Sequence, residues 1–192
     1  MTIFLYKNDL PDNLNFGDSI AIDTETMGLN LLRDRLCLVQ ISSGDGHAHL
    51  VQFDLGNYGA PNLKKLLSND NILKIFHFAR FDLACLQHYL QIEIKNIYCT
   101  KIASKLVRTY TESHGLKTLC EEILGIEISK KQQSSDWGSY QLHEKQTEYA
   151  ASDVLYLHRL KEKLDEKLKR ENRYEIFKSC LEFLPTRVRL DM

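Results

Sequence analysis

The sequence lacks the features that direct a chain into a membrane or out of the cell. No stretch of its 192 residues approaches the roughly 20 consecutive apolar residues of a transmembrane helix. The first residues, MTIFLYKND, lack the basic start, the apolar run and the small-residue cleavage site of a secretion signal. We therefore expect a cytoplasmic protein with no membrane partner.

An excess of one charge and the common cysteine and glycine motifs are also absent. Lysine and arginine total 25 and aspartate and glutamate total 26, so nucleic-acid binding would have to rely on a local patch or on bound cations. The five cysteines are odd in number and form no CxxC pair, which favours free thiols over a disulfide framework or a zinc site. Neither GxGxxG nor GxxxxGK occurs, so dinucleotide and P-loop binding have no support.

The first half of the chain has the alternating and apolar patterns of β-strands. Strands are predicted at residues 19–24, 36–43, 49–53 and 72–78, with a hairpin turn at residues 44–46 (GDG). The close spacing of the first three strands predicts an antiparallel meander.

The second half has helical periodicity. Five groups of leucine or isoleucine at helical spacing each predict a helix. They are Leu63, Leu66 and Leu67 after Pro61; Leu83, Leu86 and Leu90; Ile102 and Leu106; Leu116, Leu119, Ile123 and Leu124 before Gly125; and Leu157, Leu160, Leu164 and Leu168. A long helix is predicted from about Leu142, and a last helix over residues 174–184 that stops at Pro185. Residues 126–140 are polar and predict an extended connection. Strands first and helices later predict one α/β domain, residues 1–192, with a mixed central sheet flanked by helices.

Four acids and one tyrosine are the candidate chemical groups. Asp23 and Glu25 alternate on a strand and point to one side, where they either bind a cation or remain solvated. Asp82 falls in the first turn of a helix, where an acid also complements the helix dipole. Tyr149 and Asp153 are four residues apart and share one helical face, where they could equally be a boundary tyrosine and a solvated aspartate.

Taken together and in this order, these residues resemble the tyrosine subtype of the DEDD exonucleases, within the ribonuclease D family. AIDTET with RLCLVQ resembles the first motif of that family, HFARFDL the second, and SDW followed by YAASDVLYL the third. The resemblance runs from about Ile20 to Leu184. It implies a ribonuclease H-like (DnaQ-like exonuclease) fold.

The resemblance also implies roles for these residues. Asp23, Glu25, Asp82 and Asp153 would hold two divalent cations, Mg²⁺ or Mn²⁺, because all their ligand atoms are hard oxygens. Glu25 and Tyr149 are the catalytic candidates. A free tyrosine has a pKa near 10, so Tyr149 is expected to orient the attacking water rather than to act as a base.

Substrate contacts are implied for a wider set of residues: Thr26, Met27, Gly28, Leu29, His77, Phe81, Ser135, Asp136 and Trp137. Loop packing is the alternative for the first four, and core packing for His77 and Phe81. Trp137 could stack on a base or cap the core. A basic stripe of Lys101, Lys105 and Arg108 could face RNA, solvent or another subunit.

Within the family, the chain resembles the nano-RNase C group most, through the segments TKIASKL and KKQQSSDW. We also expect a compact single domain without the helical accessory domains of ribonuclease D. That similarity implies 3′-5′ hydrolysis of very short single-stranded RNA, dinucleotides above all, to 5′-mononucleotides by a homo-octamer. The alternative is a ribonuclease D-like enzyme that trims longer RNA or DNA 3′ ends. A binding protein on an inactivated nuclease scaffold is disfavoured, because all four acids and the tyrosine are present.

Overall fold

The central element is a six-stranded mixed sheet. The computed structural model describes residues 2–129 and 131–192. Its strands are β1 (Thr2–Lys7), β2 (Ser19–Thr26), β3 (Leu36–Ser42), β4 (His47–Gln52), β5 (Leu73–Phe76) and β6 (Ile97–Cys99), in the spatial order β1-β4-β3-β2-β5-β6.

Strands β2, β3 and β4 form the predicted antiparallel meander, and β1, β5 and β6 add to it by parallel pairing. The mixed sheet is therefore confirmed, whereas β1 and β6 were not predicted. Strand β1 was missed because it is a largely exposed edge strand without alternating burial, and β6 was missed because it has only three residues.

Helices cover both faces of this sheet. They are α1 (Pro61–Leu67), α2 (Ala79–Leu90), α3 (Thr100–Val107), α4 (Leu116–Leu119), which continues as a π-helical turn (Cys120–Leu124), α5 (Glu144–Leu155), α6 (Leu157–Arg170) and α7 (Tyr174–Asp191). Throughout the described residues, every helix falls short of the length and apolar content that crossing a bilayer requires.

The two faces of the sheet pack against different helices. Ile20 and Ile22 of β2 belong to a core cluster with the apolar residues of α1 and α2, whereas Ala21 belongs to a second cluster with those of α6. Strand β3 is buried along its whole length, which explains its nearly continuous apolar sequence. Because side chains alternate along a strand, β2 presents its even and odd residues to opposite layers.

Two helix boundaries differ from the sequence prediction. The long pattern after Leu142 is two helices, α5 and α6, that meet at Tyr156. Pro185 lies inside α7 rather than at its end. Its ring is exposed, while Leu184 and Val188 on either side are 4% and 0% exposed, so the buried face of the helix continues past the proline. Burial of these side chains offsets the lost backbone hydrogen bond.

Candidate active site

Three carboxylates meet beside the end of β2. Asp23 and Glu25 are odd-numbered residues of that strand and face the helical layer that contains α5, from which Asp153 projects. Their side-chain oxygens lie within 4.8 Å of one another. The predicted alternation therefore places both strand acids on one side, and the tertiary structure adds the helical aspartate.

The fourth acid reaches this cluster from the opposite layer. Asp82 lies in the first turn of α2, as predicted, and is only 3% exposed. Thr24 is an even-numbered residue of β2 and faces α2, where its hydroxyl donates a hydrogen bond to Asp82 Oδ1 over 2.7 Å. Burial raises the pKa of Asp82 to about 7, while the Thr24 hydroxyl acts in the opposite direction.

Burial and mutual repulsion make this an unfavourable place for four negative charges. The pKa values of Asp23 and Glu25 are raised well above those of ordinary carboxyls, first by burial and then by the charges of neighbouring acids, including Asp82 and Asp153. A divalent cation would supply the compensating charge, and clustered carboxylate oxygens are the ligands that Mg²⁺ and Mn²⁺ prefer. The four carboxylates are therefore suitable ligands for such a cation.

Tyr149 lies one helical turn before Asp153 on α5. Its hydroxyl donates a hydrogen bond to Asp153, and burial together with the nearby carboxylates raises its pKa above the usual value of 10.0. The phenol is therefore neutral at physiological pH and can orient a water but cannot deprotonate it. Its ring lies 6.0 Å from that of Trp137, at an interplanar angle of 40°.

These groups line a cavity of about 680 Å³. Besides the four acids and Tyr149, its lining includes the predicted substrate-binding residues Thr26, Met27, Gly28, Leu29, His77, Phe81, Ser135 and Trp137. Met27 and Leu29 are 51% and 84% exposed, so both side chains could contact a ligand. The structure thus brings together every predicted site residue except Asp136.

The loop after β2 folds back on itself at Gly28. A Cβ atom on this residue would lie 2.3 Å from Asp34 Oδ2, so only glycine allows the carboxylate of Asp34 to approach. Asp34 in turn accepts a hydrogen bond from the backbone N–H of Asn30 and pairs with Arg33. Thr26 donates to the carbonyl oxygen of Gly28. These contacts define the shape of the cavity rim.

Trp137 packs mainly as a core residue. It is 2% exposed, which favours the capping alternative over stacking on a base. Its segment is tied to α5 by Gln146, whose amide donates to Ser135 Oγ and to the carbonyl of Asp136. Asp136 lies outside the cavity lining, and its carboxylate accepts hydrogen bonds from the turn that follows. A substrate contact by Asp136 stays a prediction.

His77 is held in the turn between β5 and α2. The Thr100 hydroxyl donates to the carbonyl of Phe76, so His77 contributes the proton of its own hydrogen bond from Nδ1 to Thr100 Oγ1, which measures 2.9 Å. The contact joins this turn to the start of α3. Phe81, in the first turn of α2, is half-buried and lines the same cavity.

The cavity also contains residues that the sequence did not single out as substrate contacts. They are Thr24, Phe78, Lys101, Gly115, Leu116, Lys117, Ile128, Ser129, Gln133 and Ser134. No periodicity marks Phe78, because it belongs to a turn. The sequence singled out Lys101 only as a member of the basic stripe.

That stripe does not form one surface. Lys101 lines the cavity and Lys105 is exposed, but Arg108 is fully buried. Its guanidinium donates to the hydroxyl of Ser104 and pairs with Glu122. The helical spacing was misleading here because α3 ends at Val107, and Arg108 leaves the helical path.

Comparison with known proteins gives a consistent set of matches. A family model described as 3′-5′ exonuclease matches residues 7–169. Brucella melitensis NrnC with bound Mg²⁺ is 55% identical and has a TM-score of 0.95, with 100% of this chain and 94% of that chain covered. Brucella melitensis NrnC bound to pGG is 56% identical and has a TM-score of 0.96, with 100% and 93% covered.

Curated relatives extend the match to larger proteins. Ribonuclease D from Shewanella sp. (strain ANA-3) is 34% identical over 156 residues, which make up 80% of this chain and 39% of the relative. The chain thus spans well under half the length of the curated relatives that it matches.

Proposed function

The chain belongs to the 3′-5′ exonuclease family, and on that basis we propose that it is a metal-dependent 3′-5′ exoribonuclease that hydrolyses very short RNA, especially dinucleotides, to 5′-mononucleotides. The resemblance to the ribonuclease D family and the ribonuclease H-like fold are confirmed by the same matches. The observation that carries the proposal is the cluster of Asp23, Glu25 and Asp153, whose oxygens lie within 4.8 Å of one another at the cavity.

The size of the cavity and the similar proteins support a short substrate. About 680 Å³ lies within the range of roughly 300–1,000 Å³ typical of small-molecule sites, so a dinucleotide is a suitable occupant. One similar protein is described as bound to pGG, a guanine dinucleotide by its notation. A near-zero net charge is compatible with such a substrate, which offers few phosphates for counterion release.

Metal ions are proposed at the acidic cluster. Asp23, Glu25, Asp82 and Asp153 would hold two divalent cations, Mg²⁺ or Mn²⁺, and a similar protein is described with bound Mg²⁺. When bound, such ions lower the pKa of the attacking water and neutralise charge on the phosphate and on the leaving 3′ oxygen. The protein contributes the alignment of the four carboxylates, which β2, α2 and α5 supply from opposite sides of the sheet.

Tyr149 is proposed to position the attacking water. Its neutral hydroxyl, held by Asp153, offers the water a hydrogen-bonding partner beside Glu25. Thr26, Met27, Gly28 and Leu29 would contact the terminal nucleotide, with His77, Phe81 and Ser135 on other walls of the cavity. Backbone groups of this loop could recognise the 3′ hydroxyl.

A single experiment separates this proposal from its alternative. Time courses would follow a 5′-labelled diribonucleotide and a longer single-stranded RNA, each with Mg²⁺, Mn²⁺ or EDTA, beside an Asp82→Ala control. Fast, metal-dependent loss of the dinucleotide supports the proposal. A ladder from the longer RNA with the dinucleotide left intact supports the ribonuclease D-like alternative of trimming longer RNA or DNA 3′ ends.

Self-association is proposed as well, as a homo-octamer in the cytoplasm built from this one exonuclease domain. Strand β1 lies at the end of the sheet order, and its Phe4 and Leu5 are 39% and 44% exposed. An apolar edge strand is prone to pair with another chain. Light scattering after gel filtration tests the octamer, and a monomer would contradict it.

A further inference from the structure

Phe78 has an unusual backbone conformation at the mouth of the acidic cluster. Its φ is +69°, in the left-handed region that disfavours residues with a Cβ atom. Among the described residues, seven other than glycine have positive φ, and four of these are asparagine, which tolerates the region best. Phe78 is the one aromatic residue in that group, so the conformation is an exception that requires an explanation.

The surrounding structure holds Phe78 in this conformation from both sides. Before it, His77 is hydrogen-bonded to Thr100, which also donates to the carbonyl of Phe76. After it, Arg80 makes two hydrogen bonds to Asp191, of 2.7 and 2.6 Å. A disfavoured conformation persists only where neighbouring contacts impose it, and such residues cluster at binding and catalytic sites.

The ring of Phe78 is nevertheless not a core residue. It is 41% exposed and lines the same cavity as Asp23, Glu25 and Phe81. A large apolar side chain that is both strained and exposed contributes little to folding, because much of its surface stays in water. Packing alone therefore does not explain why an aromatic residue occupies this position.

Two cationic side chains hold the ring in place. Lys101 Nζ lies 4.0 Å and Arg80 Cζ 5.7 Å from the centroid of the Phe78 ring, both within the distance of a cation–π interaction. Lys101 projects from α3, which Thr100 begins, so the same helix restrains both the turn and the ring. The result is an aromatic surface that is fixed before any ligand arrives, which reduces the entropy lost on binding.

We propose that Phe78 is a base-stacking platform of the substrate cavity, with Lys101 positioning its ring. The proposal rests on the proposed function, since it requires a nucleotide substrate, and it adds the residue on which a nucleobase stacks. Every base has a π-face, so stacking gives affinity with little dependence on base identity. Substrates of different sequence are therefore expected to depend on Phe78 to a similar degree.

The test measures binding separately from hydrolysis. The dissociation constant of fluorescently labelled pGG would be determined with Ca²⁺ in place of Mg²⁺, for wild type, Phe78→Ala, Phe78→Trp and Phe78→Gly. Loss of one stacked base is expected to weaken binding about 5- to 150-fold in the alanine and glycine variants, with recovery in the tryptophan variant. Phe183→Ala is the matched control, since Phe183 is a 54% exposed aromatic residue outside the cavity lining.

Two further readouts separate stacking from a structural role. Phe78→Gly removes the strain, so its melting temperature should equal or exceed that of wild type although its affinity falls. The second readout uses two dinucleotide analogues, each lacking one of the two bases. Phe78→Ala should weaken binding of the analogue that keeps the stacked base, and should leave the affinity for the analogue without that base unchanged.

Three results would overturn the proposal: affinity of Phe78→Ala within twofold of wild type, equal loss with both abasic analogues, or no binding of pGG by wild type. If binding depends on Phe78 but no RNA is hydrolysed with Mg²⁺ or Mn²⁺, the stacking platform stands and the proposed exoribonuclease activity fails.

Discussion

Thr24→Val removes one hydrogen bond at the acidic cluster and leaves the shape of the side chain almost unchanged. In the wild-type protein the Thr24 hydroxyl donates to Asp82 over 2.7 Å, between side chains that are 6% and 3% exposed. Valine cannot donate, so the Asp82 carboxylate loses the group that counters its burial. Because Asp82 has to be ionised and correctly oriented to hold a cation, metal binding should weaken.

The size of the effect follows from the burial of both partners. A hydrogen bond to a charged group contributes about 1.5–3 kcal/mol, and loss of a residue that orients a metal ligand typically reduces metal affinity about 10- to 100-fold. We therefore expect the Mg²⁺ concentration that gives half-maximal activity to rise about 10- to 100-fold. The pKa of Asp82, already about 7, should rise further, so the deficit should be larger at pH 7 than at pH 9.

Two assays would follow this change. Hydrolysis of a diribonucleotide would be measured against Mg²⁺ concentration at pH 7 and pH 9, and the rise in melting temperature on addition of Mg²⁺ would report metal binding without turnover. Thr24→Ser is the control, because it keeps the hydroxyl and loses only the methyl group.

An unchanged Mg²⁺ requirement and pH profile in Thr24→Val would refute the reasoning. An equal loss in Thr24→Ser would attribute the effect to packing of the methyl group instead of the hydrogen bond.

Three further predictions follow from the same site. Tyr149→Phe should lower kcat about 100-fold and keep the Mg²⁺-induced rise in melting temperature, whereas Asp153→Ala should lose both; near-wild-type turnover in the Phe variant would remove Tyr149 from the mechanism. The pKa of Asp82 is raised from 3.8 to about 7, so the folded protein retains a proton that the unfolded chain releases between these values. The free energy of unfolding of the metal-free protein should thus fall as pH rises through that window, and Mg²⁺ should reverse the fall; a higher melting temperature at pH 8 than at pH 5 in EDTA would contradict this. Gly28→Ala should lower the melting temperature and raise KM, because the new Cβ atom would lie 2.3 Å from Asp34 Oδ2; unchanged values would show that Asp34 moves without consequence.

Much of the site was predictable because its signals are local. Alternation along β2 placed Asp23 and Glu25 on one side, and helical spacing placed Tyr149 one turn before Asp153. The position of Asp82 in the first turn of α2 is likewise a property of its immediate neighbours. Such patterns depend on residues only a few positions apart, which the order of amino acids displays directly.

Where local patterns failed, a distant contact had overruled them. Pro185 does not end α7, because Leu184 and Val188 are buried against other elements. Arg108 is buried with Glu122 although its spacing indicated a basic surface. For Trp137 the sequence left base stacking and core packing open, and the fold buries its side chain in a segment that is tied to α5 through Gln146.

The sequence by itself therefore determined four of the six strands, most of the helical segments, the face on which each acid lies and the resemblance to an exonuclease family. Only the tertiary structure decided which acids meet, that Thr24 bonds to Asp82 across 58 positions of chain, and that Phe78 is held in a left-handed conformation beside Lys101. The physical reason is that local periodicity follows from backbone geometry, whereas hydrogen bonds and strain between distant segments arise from how those segments pack.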